Sequence, residues 1–260
     1  MQDIKIAFFD IDGTLLSHKS SSVPQSTVRA LRFLHDKGIL IYAATGRHIL
    51  ELDELPLEGI PFDGYLILNG QLCLDKDRNI LFGYPIAEDA MRVLADIFAE
   101  KKLPITIKEQ DRMYINYPSE RAKEILAALS TELPAVAEYS GAPAYQVCPY
   151  ISKEEVPEEI LNLPHVNITR WNPYGIDIVA EGGTKAGGIE LILKHFGFTR
   201  EQALAFGDGE NDIEMLAECG TGICMGNGVE EAKAVADMVT EDIDEDGIEK
   251  ALVKLGLIQA

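Results

Sequence analysis

Basic residues are scarce in this chain. Its 260 residues carry 23 Lys and Arg against 43 Asp and Glu, a formal net charge of −20 at pH 7. Binding to phosphate backbones relies on Lys and Arg displacing counterions, so this surplus of acid disfavours nucleic acid and anionic membrane surfaces as partners. Cysteine is sparse too, limited to Cys73, Cys148, Cys219 and Cys224. The Cys219/Cys224 pair lacks a second Cys or His pair to complete a zinc site, which leaves buried free thiols in a reducing compartment as the better reading. No run of about 18 apolar residues occurs, which excludes a transmembrane helix. The N-terminal stretch passes straight into Ile6-Ala7-Phe8-Phe9-Asp10 without a basic lead, a long apolar core or a small-residue cleavage site, so a cytoplasmic location is expected. Internal repeats and low-complexity segments are also missing.

What remains is an ordinary globular composition, 47% hydrophobic and 25% charged. At roughly 150 residues per domain the length suits one large domain or two modest ones. Ile4–Phe9 reads as a buried strand ending at an acidic turn, and Pro24–Lys37 as a helix with Val28, Leu31 and Leu34 inward and Gly38 as its stop. Ile39–Ala44 and Tyr65–Leu68 follow as strands, and this spacing predicts parallel βαβ crossovers. Near Cys73 the rhythm changes to short paired strands with helices over Ala87–Lys101, Ser119–Thr131 and Lys153–Leu161. Alternation such as Met113-Tyr114-Ile115-Asn116-Tyr117 suits an antiparallel sheet with one open face. After Lys185 the parallel rhythm returns. The expected fold class is α/β: a doubly wound, Rossmann-like parallel-sheet core over residues 1–83 and 184–260, interrupted by an inserted α+β cap domain over residues 84–183.

In open parallel sheets reactive groups gather beyond the carboxyl ends of the strands. The first strand ends in Asp10-Ile11-Asp12-Gly13-Thr14-Leu15, and strand alternation would put both carboxylates on one side. The second ends in Thr45-Gly46-Arg47. Lys185 opens a helix behind Gly182-Gly183-Thr184, and Ala203–Phe206 runs into Gly207-Asp208-Gly209-Glu210-Asn211-Asp212. Each has a bland alternative when taken alone: a capping loop, a helix start, a solvated lysine, or an acidic turn without EF-hand spacing. Their conjunction at successive strand ends points to chemistry. Clustered carboxylates suit a hard cation such as Mg²⁺, which also takes substrate phosphate oxygens. With Mg²⁺ and Lys185 neutralising a phosphoryl group, Asp10 can attack phosphorus and Asp12 protonate the leaving oxygen, while Thr45 and Asn211 donate to the phosphoryl oxygens.

These motifs, in this order, resemble the four signatures of the haloacid dehalogenase superfamily. Asn69-Gly70 after the third strand, the Ala-Thr-Gly-Arg form of the second motif and the large insertion resemble its Cof-like branch with a class IIB cap. The third motif departs slightly, reading Gly183-Thr184-Lys185-Ala186. The resemblance implies a Mg²⁺-dependent phosphatase acting on small phosphorylated metabolites, sugar phosphates foremost, through an aspartyl-phosphate. It implies Asp10 as nucleophile and metal ligand, and Asp12 as general acid/base that binds metal through its backbone carbonyl. It further implies Ile11, Thr45, Gly46, Lys185 and Asn211 around the phosphate, with Asp208 and Asp212 at the metal.

The insertion is long enough to exclude water as a lid, and Arg112, Tyr114, Asn116, Tyr145 and Trp171 are its candidates for the leaving group. Against them stands the common use of such residues in a module's own core. Rival readings are a phosphomutase or phosphotransferase, a non-catalytic binder of phosphorylated metabolites, and a receiver domain, for which the insertion is too large. A monomer or small homo-oligomer is expected.

Overall fold

The computed structural model describes residues 3–128 and 131–259. They fall into two compact units: one from the segments up to Arg47, Leu52–Phe82 and Thr184 onward, the other from Gly83–Gly183 together with His48–Glu51. The first contains β1 (Ile6–Phe9), β2 (Leu40–Ala44), β3 (Gly64–Ile67), β4 (Leu72–Asp75) and β5 (Ile80–Gly83). The chain then builds the second unit from β6 (Ile105–Lys108), β7 (Met113–Ile115), β8 (Ala135–Val136), β9 (Gln146–Pro149), β10 (Val166–Asn172) and β11 (Gly175–Ala180). It completes the first with β12 (Ala203–Gly207), β13 (Thr221–Cys224) and β14 (Met238–Val239).

The large sheet runs β14-β13-β12-β1-β2-β3-β4-β5. From β14 to β3 every pair is parallel, and β3 pairs antiparallel with β4. The change of rhythm near Cys73 thus marks an antiparallel addition to the same sheet, because a short turn suffices to join antiparallel strands. β1 lies at the centre and is buried on both faces, which explains its uninterrupted apolar run. Ile6 and Phe8 pack with Ile189, Ile192 and Leu193 of the helix Lys185–Phe196. Phe9 stacks on Phe206, 4.9 Å between ring centroids. The helix Gln25–Asp36 buries Val28, Leu31 and Leu34, and packs with the helix Gly247–Lys254. All four cysteines are buried free thiols.

The second unit has a sheet of order β10-β11-β9-β6-β7-β8. Ile105, Ile107, Val147, Ile176 and Ile178 face a core shared with Leu94, Ile97 and Phe98 of the helix Glu88–Ala99. The helix expected over Ser119–Thr131 spans Glu120–Ala128, with Leu129 and Ser130 outside the described residues. The helix expected over Lys153–Leu161 is instead a 3-10 turn, Lys153–Glu155, and a short helix, Glu158–Leu161. Pro157 between them disfavours helical geometry at Val156 and lacks the N–H that a continuous helix needs.

His48 is wholly buried in this unit. Its Nε2 lies 2.8 Å from the Glu109 carbonyl and its Nδ1 accepts from Leu50 N–H at 3.3 Å, which assigns the proton of a neutral ring to Nε2. Burial and then the Lys108 ammonium hold its pKa down to about 4. A depressed pKa stabilises the fold above the unfolded value of about 6.5, and that contribution, about 3 kcal/mol, is lost as pH falls through the folded value. His48→Gln keeps a donor without the titration and is expected to flatten the decline of melting temperature between pH 6.5 and 4. Parallel wild-type and variant profiles across that window would contradict the assignment.

Candidate active site

The predicted site residues all lie in the first unit: those from Asp10 to Asp12, Thr45 and Gly46, and those from Asp208 to Asp212 follow β1, β2 and β12 of the large sheet, whereas Lys185 is the first residue of the helix Lys185–Phe196. β1 ends at Phe9, and Asp10 continues its pairing by donating its N–H to Phe206 O at 2.9 Å. The chain then turns on itself: Leu15 and Leu16 N–H both donate to the Ile11 carbonyl, at 2.9 and 2.7 Å. Gly13 has φ +86°, and a Cβ there would stand 2.2 Å from Asp208 Oδ2, so both backbone and space demand glycine. Asp12 therefore sits beyond the strand, placed by the turn and not by strand alternation. Its carboxylate takes a bidentate pair from Arg47, Nε to Oδ2 at 2.6 Å and Nη2 to Oδ1 at 2.8 Å. Ile11 is completely buried.

Lys185 is buried, and its Nζ lies 2.7 Å from Asp10 Oδ1 and 2.6 Å from Asp212 Oδ1. The helix it opens is capped by Thr184, whose Oγ1 accepts from Gly187 N–H at 3.1 Å. The other Asp212 oxygen accepts from the N–H groups of Asp208 and Gly209, both at 2.9 Å, so this carboxylate is fixed from both sides. Thr14 Oγ1 donates to Asp208 Oδ1 at 2.8 Å and ties the first acidic loop to the last. Asp10, Asp208 and Asp212 each offer an oxygen within 4.8 Å of the others, the cluster of metal-binding type found among the described residues.

Three carboxylates against one ammonium leave negative charge in excess. Burial, followed by the charge of Asp212, pushes the Asp10 carboxyl well above the usual carboxylate range despite Lys185. Burial, opposed by the Thr14 hydrogen bond, raises Asp208 to about 6. Burial alone would lower the Lys185 ammonium, but Asp10 and Asp212 outweigh it and hold it above its ordinary value. Clustered hard oxygen donors with uncompensated charge fit a divalent cation.

Thr45 follows β2, buried, with its Oγ1 accepting from Arg47 N–H at 3.2 Å and its carbonyl from Asn69 N–H at 2.9 Å. Gly46 allows close approach of Asn69, whose amide would meet an added Cβ at 3.1 Å. Leu68 and Asn69 both have positive φ, 54° and 55°, a strained pair held next to the site. Asn211 Nδ2 donates to Asn69 Oδ1 at 3.1 Å. Thr14 and Thr184 escaped the sequence reading, since neither stands out as a site residue without its partners. Arg47 is engaged with Asp12, a role its place in Thr45-Gly46-Arg47 did not disclose.

Of the candidates in the inserted unit, Tyr114, Asn116 and Tyr145 are buried and serve that unit itself, whereas Arg112 and Trp171 are exposed. Asn116 donates to Phe98 O and Leu103 O, at 3.0 and 2.8 Å, and accepts from Ile105 N–H at 2.9 Å. Tyr114 belongs to the core and donates to Glu109 Oε1 at 2.5 Å, with Arg112 over its ring. Tyr145 is buried, and Trp171 Nε1 donates to Asp177 Oδ1 at 3.0 Å.

The family model for haloacid dehalogenase-like hydrolases matches residues 7–252. YkrA of Bacillus subtilis (strain 168) is 32% identical, over 99% of this chain and 100% of its own length. The 5-amino-6-(5-phospho-D-ribitylamino)uracil phosphatase YcsE of the same strain is 28% identical, over 96% of this chain and 95% of its own. Among solved structures, the subclass IIB sugar phosphatase BT4131 has a TM-score of 0.81 at 37% identity, covering 98% of this chain and 100% of that one. With motifs, geometry and full-length similarity in agreement, the chain belongs to the haloacid dehalogenase-like hydrolase family, as a hydrolase of the phosphatase kind.

Proposed function

We propose that this protein is a Mg²⁺-dependent phosphatase of small phosphorylated metabolites, sugar phosphates among them, working in the cytoplasm through an aspartyl-phosphate on Asp10. The observation that carries the reading is the buried Lys185 ammonium, shared by Asp10 and Asp212 beside Asp208. Among the described residues no helix is long and apolar enough to cross a membrane. The likeness to a sugar phosphatase, BT4131, supports the substrate class.

In this reading a carboxylate oxygen of Asp10 attacks phosphorus as the bond to the leaving oxygen breaks, and Asp12 gives that oxygen its proton. Water then attacks the acyl phosphate, Asp12 takes the water's proton, and phosphate leaves with the Asp10 carboxylate restored. Arg47 holds the Asp12 carboxylate in one orientation. Lys185, Thr45 and Asn211 bind the phosphoryl oxygens, and Ile11 and Gly46 contribute to the same pocket. Asp10, Asp208, Asp212 and the Asp12 carbonyl hold Mg²⁺, which supplies electrostatic stabilisation of the phosphoryl charge. The inserted unit selects the leaving group.

Phosphate release from p-nitrophenyl phosphate and from a panel of hexose and pentose phosphates tests this. Release is expected with Mg²⁺, lost in EDTA and restored by excess Mg²⁺. Absence of release across the panel with Mg²⁺ overturns the hydrolase reading. Transfer to an added sugar hydroxyl in place of water would identify a phosphotransferase.

A further inference from the structure

After β13 the chain runs Met225-Gly226-Asn227-Gly228-Val229, and this loop touches both acidic loops of the site. Val229 N–H donates to the Asp208 carbonyl at 2.8 Å, and a Cβ on Gly228 would approach the same carbonyl to 3.1 Å. Asn227 reaches the other loop. Its Nδ2 donates to the Gly13 carbonyl at 2.8 Å, and its Oδ1 accepts from Ile243 N–H at 3.0 Å. Ile243 is itself anchored nearby, since Gly226 N–H donates to Glu241 O at 3.0 Å and Ser17 Oγ to Asp244 Oδ1 at 2.6 Å. Asn227 is exposed, yet both polar ends of its amide are engaged by backbone groups remote in the chain.

The bond to Gly13 has a geometric consequence. Gly13 sits between Asp12 and Thr14 at a positive φ, pressed against Asp208. The peptide that joins Gly13 to Thr14 is held at its oxygen by Asn227 and at its N–H, at a longer 3.3 Å, by the Ile11 carbonyl, so Asn227 restrains its rotation. Thr14 hangs from that peptide, and its hydroxyl donates to Asp208 Oδ1 at 2.8 Å. A side chain that fixes this peptide therefore fixes one carboxylate of the cluster and the backbone between the two acidic loops. Partners of this kind orient the groups that hold a metal, and losing one costs roughly 10–100-fold in affinity or activity.

We propose that Asn227 is a positioning residue of the phosphoryl-transfer site, acting through its amide N–H on the Gly13 carbonyl. The kinetic part of this proposal rests on the phosphatase reading; the part that concerns cation binding needs no turnover. The test compares full-length Asn227→Ala and Asn227→Asp with Asp237→Ala. Asp237 Oδ2 accepts from Gly222 N–H of β13 at 2.9 Å, so its loss removes a comparable side-chain-to-backbone bond elsewhere in the unit. Two measurements are made on each: steady-state turnover of p-nitrophenyl phosphate, and calorimetric titration of the metal-free protein with Mg²⁺.

Both Asn227 variants are expected to show kcat about tenfold lower with KM changed less than about threefold, and Mg²⁺ binding weakened about tenfold. Aspartate is isosteric and keeps the acceptor for Ile243, but lacks the donor that Gly13 requires, so it should be no better than alanine. Asp237→Ala should retain wild-type turnover and Mg²⁺ affinity. Wild-type Mg²⁺ affinity in Asn227→Ala overturns the proposal. So does recovery in Asn227→Asp, which would show that shape alone matters, or an equal loss in Asp237→Ala, which would show a general effect of stability. A wild-type protein that binds Mg²⁺ but releases no phosphate would overturn the phosphatase reading, and the calorimetric comparison would still decide for or against Asn227.

Discussion

Asp10→Asn is expected to lower phosphate release at least about 10³-fold while leaving the melting temperature unchanged or raised. The two halves of the expectation have different causes. An amide oxygen is a poor nucleophile towards phosphorus, so the covalent route closes. The fold tolerates the change because the Asp10 carboxyl is buried next to Asp212 and pushed well above its usual range, which makes its ionised form costly at neutral pH. Asparagine is isosteric, removes that charge and keeps an oxygen for the Lys185 ammonium now 2.7 Å away. Steady-state assays beside thermal melts of metal-free protein check both halves. A variant that retained more than about 1% of wild-type turnover would show that Asp10 is not the nucleophile.

Much of the fold was legible because single segments carry their own explanation. β1 reads as central from Ile6-Ala7-Phe8-Phe9, since a strand covered on both faces has no polar positions to spare. The helix Lys185–Phe196 ends where Gly197 adopts φ 71°, as its Phe-Gly junction suggests. The hairpin after β3 was harder. Its strands are short and their membership of the large sheet depends on the pairing of Leu66 with Cys73, which no local pattern reveals. The broken segment from Lys153 to Leu161 had its signal in Pro157, outweighed by an otherwise helical composition.

The site divides similarly. The acids after β1 and β12 could be read from spacing, because a parallel sheet converts sequence order into a common rim; Lys185 instead enters at the first turn of the helix Lys185–Phe196, after a strand of the other sheet. What holds them could not. Asp12 meets Arg47 only because the chain turns at Gly13, and Asn227, flanked by two glycines, looks like an ordinary turn until its contact with Gly13, 214 residues away, is seen. In the inserted unit Tyr114 and Asn116 follow the core use that stood against them as ligand contacts: their polar atoms are committed to the unit's own backbone and core.

Lys185→Met should have the largest effect on the fold. Methionine matches the aliphatic stem but removes the ammonium that lies 2.7 Å from Asp10 and 2.6 Å from Asp212. Breaking a buried ion pair from one side leaves uncompensated charge and costs roughly 3–5 kcal/mol, which for a unit of this size lowers the melting temperature by about 10 °C. The loss should depend on pH with a definite sign. Asp10 already has its folded pKa raised, and without Lys185 the lowering contribution vanishes. A carboxyl whose folded pKa exceeds its unfolded value gives stability that is present below the unfolded value and is lost as pH rises through the folded one. The gap between wild type and Lys185→Met should therefore widen as pH rises through the raised folded value of Asp10 in the wild type, above which only the wild type has the Lys185 ammonium to offset the ionised carboxylate. Adding Asp10→Asn to Lys185→Met removes one of the stranded charges, so the double variant should melt higher than Lys185→Met alone, a coupling that independent sites would not show. Phosphate release should fall at least about 10²-fold in either variant, as expected when a preorganised donor to the phosphoryl oxygens is lost. A Lys185→Met protein that melts like the wild type at neutral pH would mean that the three carboxylates share their charge with something other than this lysine.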